Sequence, residues 1–284
     1  MKAKNTCIFI AIFFFILIFL SAVFTLFNSK VSFVGKVALV RVEGPIIEAK
    51  SIVDEINGYM KDSSIKVIVL RVNSPGGGVV PSQEIYSAVK KAASQKKVVV
   101  SMGSLAASGG YYISAPATRI IANPGTITGS IGVIMEVPNV KGLMDKVGVK
   151  TEVIKSGIHK DLASPFRGIG TEERAILQGV MDDVHSQFIS AVAEGRKMPV
   201  DAVKKIADGR VFSGRQAIKA GLVDELGDLD SAVRTAAKMA GLKGEPQVVI
   251  KKEKHNILDL FSSRINESVS KMMPTSELKY MYAP

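Results

Sequence analysis

Ser108 has the neighbours that nucleophilic chemistry needs. It stands in V-V-V-S-M-G-S-L-A-A-S-G-G-Y-Y-I-S, residues 98–114, which opens as a β-branched run and becomes a patch of small residues. Valine favours a strand, whereas Ala107, Ser108, Gly109 and Gly110 suit a tight turn into a closely packed helix. A serine at that junction has its hydroxyl held on rigid scaffold. The amide of Gly109, at a helix N-terminus, is free to meet a developing oxyanion. Taken alone, A-S-G-G is more economically a helix-packing face, so its surroundings must decide.

Two further loops follow strands: Ser74-Pro75-Gly76-Gly77-Gly78 and Thr128-Gly129-Ser130. In a parallel sheet such loops emerge at one edge, where residues distant in sequence converge. Acyl transfer needs a nucleophile, a base and oxyanion donors. The triple glycine leaves its amides unobstructed, so Gly77 or Gly76 can supply one donor and Gly109 the other. Losing one such donor typically costs about 2.7–4 kcal/mol of barrier. A lone P-G-G-G is otherwise an ordinary turn, and the phosphate-loop pattern G-x-x-x-x-G-K-[ST] is absent.

The base is harder to place. The chain has three histidines. His185 lies in a long helical stretch beside Asp182 and Asp183, which marks a solvated face, and His255 sits in a charged tail. His159 is in a suitable loop but is followed directly by Lys160. A lysine serves as base when burial disfavours its ammonium form. Lowering its pKa from about 10.4 towards 8 takes roughly 3 kcal/mol. The ordinary place of any lysine is a solvated surface.

The elements that must hold these loops read as alternating strand and helix. Strands are expected at 36–42, 65–72, 97–101, 119–122, 151–154 and 248–250. Helices are expected at 50–61, 82–93, 140–146, 172–197, 200–207 and 229–240, with a short helix before Gly221. The run I-K-V-I-V-L-R-V at 65–72 suits a strand buried on both faces of a parallel sheet. This rhythm argues for right-handed βαβ crossovers and an α/β class. No internal repeat is present.

Composition bounds the rest. The chain has 284 residues, a formal net charge of +11 and one cysteine, Cys7. A disulfide scaffold and Cys/His zinc sites are thereby excluded. Residues 7–27 are apolar except for Ser21 and Thr25, and Lys2 and Lys4 precede them. Roughly 20 such residues span a bilayer core. The run is longer and bulkier than a cleavable leader, and Ala22-Val23-Phe24 makes a poor cleavage site. An uncleaved anchor is expected, with the N-terminus cytoplasmic and the remainder outside. The basic residues are scattered as K-K pairs without aromatic interleaving, which suits a face near an anionic membrane and not a nucleic-acid surface. Three regions follow: an anchor at 1–29, a catalytic domain at 30–243, and a tail at 244–284 whose polar, Met-containing end is expected to be loosely ordered.

The segments K-V-I-V-L-R-V-N-S-P-G-G-G, S-M-G-S-L-A-A-S-G-G-Y-Y-I-S, P-G-T-I-T-G-S-I-G-V-I, I-K-S-G-I-H-K-D and I-A-D-G-R-V-F-S-G-R-Q-A together resemble the signal peptide peptidase A (SppA) family in its short form. The resemblance runs in order from about Val37 to Leu229. It implies a ClpP/crotonase-like fold of repeated ββα units and a membrane-anchored Ser-Lys dyad endopeptidase that degrades remnant signal peptides. In that pattern Ser108 is the nucleophile, Lys160 the general base and Ser130 the hydrogen-bonding partner of the lysine, while Gly77 and Gly109 form the oxyanion hole. Lys155, at the end of the predicted strand, is the alternative base. The family works without metal or cofactor. The family's long form resembles two fused copies with the dyad split between the halves; this chain has one copy, so the resemblance implies a dyad shared between protomers of a homo-oligomeric ring.

Other readings remain on the same residues. A related Ser-Lys protease would cleave a membrane-protein partner, as the stomatin-associated ones do. A crotonase-like acyl-CoA enzyme would bind a thioester enolate with the same glycine amides but would need neither serine nor anchor. An inert scaffold would organise membrane partners and leave Ser108 unreactive towards fluorophosphonates.

Overall fold

The computed structural model describes residues 13, 15–21, 35–251 and 279–282. Residues 15–21 are helical (α1). The anchor expected over 7–27 lies mostly outside the described residues. Among the described residues, no helix is long and apolar enough to cross a membrane.

From residue 36 the order is β1 (Lys36–Glu43), α2 (Lys50–Lys61), β2 (Ile65–Ser74), β3 (Gly76–Gly78), α3 (Val79–Gln95), β4 (Lys97–Ala107), α4 (Gly109–Ser114), β5 (Arg119–Ala122) and β6 (Ile127–Gly129). There follow α5 (Lys141–Val147), α6 (Thr171–Arg196), α7 (Val200–Lys204), β7 (Val211–Ser213), α8 (Gly214–Lys219), β8 (Glu225–Leu226) and α9 (Leu229–Met239). The chain closes with β9 (Val248–Ile250) and β10 (Lys279–Met281).

The main sheet runs β7-β6-β4-β2-β1-β9, with β5 on β4 and β8 on β5. Its pairings are parallel except β6 with β7. Strand side chains alternate between faces, and both faces are buried. Val37, Leu39, Val67, Val69, Val99 and Ile121 pack against Ala232, Val233, Ala236 and Ala237 of α9. Their neighbours Ala38, Val40, Ile68, Leu70 and Val100 face the larger core, with Ile56 of α2, Ile85 and Val89 of α3, Tyr112 of α4 and Phe188 of α6. This is the α/β architecture expected from the alternation.

The strand β4 carries the site. Its first half, Val99–Met102, pairs with β5, and its last residues, Leu105–Ala107, pair with β6. Between these halves its register with β2 shifts, so that Val72 and Ser74 oppose Met102 and Ala106. The Asn73 side chain fills this irregularity and accepts from the Leu105 amide at 3.2 Å. A Cβ on Gly103 would lie 2.8 Å from that side-chain oxygen, which is why the position takes glycine.

Three expectations are corrected. Residues 151–154 form no strand, and none of the described strands pairs with them. The strand β4 runs on to Ala107, well past 101, because β6 supplies a second partner. The end of the tail is not loose at 279–281, where it pairs with β3.

Candidate active site

Ser108 joins β4 to α4 with φ 52° and ψ −117°. A non-glycine residue held there costs on the order of 1–3 kcal/mol, which the surroundings must impose. They do so from both sides. The Ser108 amide donates to the Gly129 carbonyl at 2.8 Å, and the Ser108 carbonyl accepts from the Tyr112 amide at 2.8 Å. The residue is 1% exposed.

The β4–β6 register ends on Ala107 opposite Gly129, so the next residues, Ser108 and Ser130, leave the sheet side by side. Ser130 is also in the left-handed region, with φ 50°, and is buried. Its amide donates to the Arg210 carbonyl at 2.9 Å. Two residues earlier, in β6, the Thr128 hydroxyl donates to the Ala106 carbonyl at 2.7 Å and locks the two strand ends together.

The triple glycine approaches from β2. The Gly76 carbonyl accepts from Ile46 and the Gly78 amide donates to Ile46, each at 2.8 Å. Alternation along the strand therefore turns the amide of Gly77 the other way, towards β10, where Tyr280 is its register partner. A Cβ on Gly77 would lie 2.1 Å from the Ile46 carbonyl oxygen. A Cβ on Gly76 would lie 1.9 Å from the Tyr280 carbonyl oxygen and 2.5 Å from the Gly109 nitrogen. One on Gly109 would lie 3.1 Å from the same Tyr280 oxygen. Gly76 and Gly109 thus close on a single carbonyl oxygen, while Gly77 packs on the Ile46 backbone with Tyr280 as its register partner. Gly109 is the first residue of α4, so its N–H has no partner within the helix.

Two serines missed from the sequence shape this cradle. Ser74 Oγ accepts from the Gly76 amide at 3.1 Å, and Ser82 Oγ donates to the Gly78 carbonyl at 2.8 Å. Ser82 Oγ would also lie 2.6 Å from a Cβ on Gly109. Also missed was an aromatic pocket beside the cradle. Tyr112 packs on Phe188 with ring centroids 4.9 Å apart and on Tyr86 at 5.0 Å. One signal was available: Tyr112 lies one helical turn beyond Ser108, so its ring leans back towards it.

The lysines lie elsewhere in the single chain. Lys160 is exposed in a turn, its amide donating to the Gly157 carbonyl at 3.1 Å. Among the described residues its side chain forms no ion pair and no hydrogen bond to Ser108 or Ser130. The alternative, Lys155, is held by Asp161 at 2.5 Å and by the Ile158 carbonyl at 2.7 Å. Asp161 also accepts from Arg167 Nε at 2.7 Å, and the guanidinium grips Glu173 as well. Hydrogen bonds from Arg167, then from Lys155, hold the Asp161 carboxyl well below the usual range. Arg167 and the Gly170 amide hold Glu173 at about 2.

His159 Nε2 lies 3.7 Å from Glu172, and its Nδ1 is buried without a partner among the described residues. His185 Nε2 is likewise buried and unpartnered among them, so that residue is not on the fully solvated face expected for it. His255 lies outside the described residues. One chain therefore brings together Ser108, Ser130, Gly77 and Gly109, and leaves Lys160 apart.

A buried serine at a strained strand–helix junction, with Gly76 and Gly109 closing on one peptide carbonyl oxygen, is the equipment of a serine peptidase. Residues 90–243 match peptidase family S49, and residues 36–126 match the Clp protease family. A Synechocystis protein named as a protease is 45% identical over 215 residues, covering 75% of this chain and 77% of that one. Protease 4 of Salmonella typhi is 35% identical over 260 residues, 88% of this chain and 42% of its own length. The chloroplastic serine protease SPPA of Arabidopsis thaliana is 32% identical over 217 residues, 74% of this chain and 32% of its own. This chain thus spans less than half the length of the latter two. The chain belongs to peptidase family S49 and is an SppA-like serine peptidase.

Proposed function

We propose that the chain is a membrane-anchored endopeptidase in which Ser108 is the nucleophile and Lys160 of a neighbouring copy is the base, acting on signal peptides left after secretion. The observation that carries this reading is the closing of Gly76 and Gly109 on one peptide carbonyl oxygen, that of Tyr280, whose register partner is Gly77, next to the Ser108 junction. Ser108 Oγ adds to the carbonyl carbon of the bond to be cut, and the oxygen turns anionic between the amides of Gly77 and Gly109. The lysine takes the serine proton and delivers it to the departing nitrogen. Water then releases the acyl group. Ser130, beside Ser108 at the sheet edge, positions the incoming amine.

The segment bearing Lys160 supports delivery by a second copy. Leu143, Val147, Ile154, Ile158 and Phe166 are exposed along it, with Ile154 102% exposed. Several exposed large apolar side chains in one segment suit coverage by another subunit, and coverage would also desolvate Lys160, as a neutral lysine base requires. The apolar N-terminal run supports anchoring, and removal of residues 1–29 is expected to release the chain from membranes.

The deciding experiment compares Ser108→Ala, Lys160→Ala and Lys155→Ala in peptide hydrolysis, with assembly followed by light scattering. The first two are expected to be inactive yet assembled, and the third active. Full activity in Lys160→Ala, with loss in Lys155→Ala, moves the base to Lys155.

A further inference from the structure

The residue after Lys160 is an aspartate. A lysine acts as base only when uncharged, and a carboxylate within about 4–6 Å favours its ammonium form. Lys160 and Asp161 are sequence neighbours in an irregular turn, where the flexible four-carbon stem lets the amine reach an adjacent carboxylate. The Asp161 side chain is 11% exposed, so little water screens its charge. Left bare, it would hold Lys160 as a cation.

It is not left bare. Lys155 Nζ donates to Asp161 Oδ1 at 2.5 Å, and Arg167 Nε donates to Oδ2 at 2.7 Å. Both carboxylate oxygens are thereby taken by cations. Arg167 Nη2 also donates to the Asp161 backbone carbonyl at 3.1 Å, and Lys155 Nζ to the Ile158 carbonyl at 2.7 Å. Glu173, in the first turn of α6, accepts from both ends of the same guanidinium and from the Gly170 amide. These four side chains pair two positive with two negative charges, so the cluster presents no net charge to Lys160.

The other charged or titratable groups on these segments are His159, whose Nε2 lies 3.7 Å from Glu172, and Arg174 of α6. The helix α5, joined to Pro165 through the Val140 amide, carries Lys141 and Asp145 paired with each other, and Lys146 in its last turn. Of the three lysines and arginines between 155 and 167, Lys160 is the one without an ion pair among the described residues.

We propose that Arg167, with Lys155, keeps Lys160 usable as a base by occupying the Asp161 carboxylate. The inference rests on Lys160 being the base. Neither cation touches the reacting atoms; both are positioning residues that act on the amine through Asp161. The same bonds tie the turn to α6, so the amine is offered from a fixed frame.

The test measures the rise of kcat/KM with pH, which reports the base of the free enzyme, in full-length variants. Arg167→Ala leaves a carboxylate with one partner fewer beside the amine. The rise is expected to move up by about one pH unit, a loss of about tenfold at neutral pH. Lys155→Ala leaves the Arg167 fork in place and is expected to move it less. Arg167→Lys, which keeps a cation there, is expected to restore it. Adding Asp161→Asn to Arg167→Ala removes the carboxylate and is also expected to bring the rise back, whereas a turn that was only unsettled would not recover on losing a further anchor. An unmoved rise in Arg167→Ala, or a shift that persists in the double variant, would overturn the inference while Lys160→Ala stays inactive. Should Arg167→Ala fail to assemble, Asp161→Asn alone decides: a rise at or below the wild-type pH supports the inference, and a higher one or lost activity overturns it. Full activity in Lys160→Ala overturns this inference and the assignment of the base together.

Discussion

The amide of Ser108 donates to the carbonyl of Gly129 at 2.8 Å, and this bond sets Ser130 beside the nucleophile at the sheet edge. Both serines sit in the left-handed region, at φ 52° and 50°. Two such residues at adjacent strand ends are local concessions of stability to geometry.

Ser130→Gly separates these roles. Glycine adopts φ 50° without strain, so melting temperature is expected to hold or rise. The hydroxyl is lost, and kcat is expected to fall about tenfold or more with KM little changed. Thermal denaturation beside steady-state kinetics checks both. A drop in stability with kcat intact would make Ser130 a structural residue only.

The aromatic pocket beside the cradle is expected to set a preference for the residue before the scissile bond. Tyrosine and phenylalanine are expected to outpace aspartate there by at least about tenfold, because a charge left among Tyr112 and Phe188 is uncompensated. A peptide library differing at that one residue reads this directly. Phe188→Ala is expected to weaken the aromatic preference and to cost about 3–5 kcal/mol of stability.

Much of the scaffold was legible because its physics is local. The runs at 36–42 and 65–72 announce strands, the second of them buried on both faces, and the small-residue patch announces the turn at Ser108. The tail strand was not legible: its partner is Gly76–Gly78, which carries no side-chain pattern, and the pairing is made by backbone alone. Nor could sequence show that Lys155 is spent on Asp161, since the Arg167–Glu173 fork that completes the cluster is a tertiary arrangement.

That cluster gives a pH dependence. Asp161 and Glu173 have folded values below their unfolded ones, so their stabilisation is complete above about pH 4.3 and is lost as pH falls towards the folded value. For Glu173 that value is about 2. Protease nicking of residues 155–173 is expected to increase below pH 4 while the sheet persists, and Arg167→Ala to produce the same nicking at neutral pH. Equal protection at both pH values would contradict the sign.

If the dyad is shared, the two inactive variants should complement each other. Ser108→Ala and Lys160→Ala chains, mixed and reassembled, place an intact serine beside an intact lysine at some interfaces. Partial recovery of activity is expected, up to about a quarter of wild type for random mixing of pairs. No recovery in a properly assembled mixture would return both residues to one chain.

The most direct measurement is fluorophosphonate labelling of the full chain, with the modified residue mapped by mass spectrometry. The account predicts a single adduct on Ser108, abolished in Ser108→Ala and strongly slowed in Lys160→Ala. An active preparation labelled at another serine, or not labelled at all, would contradict it.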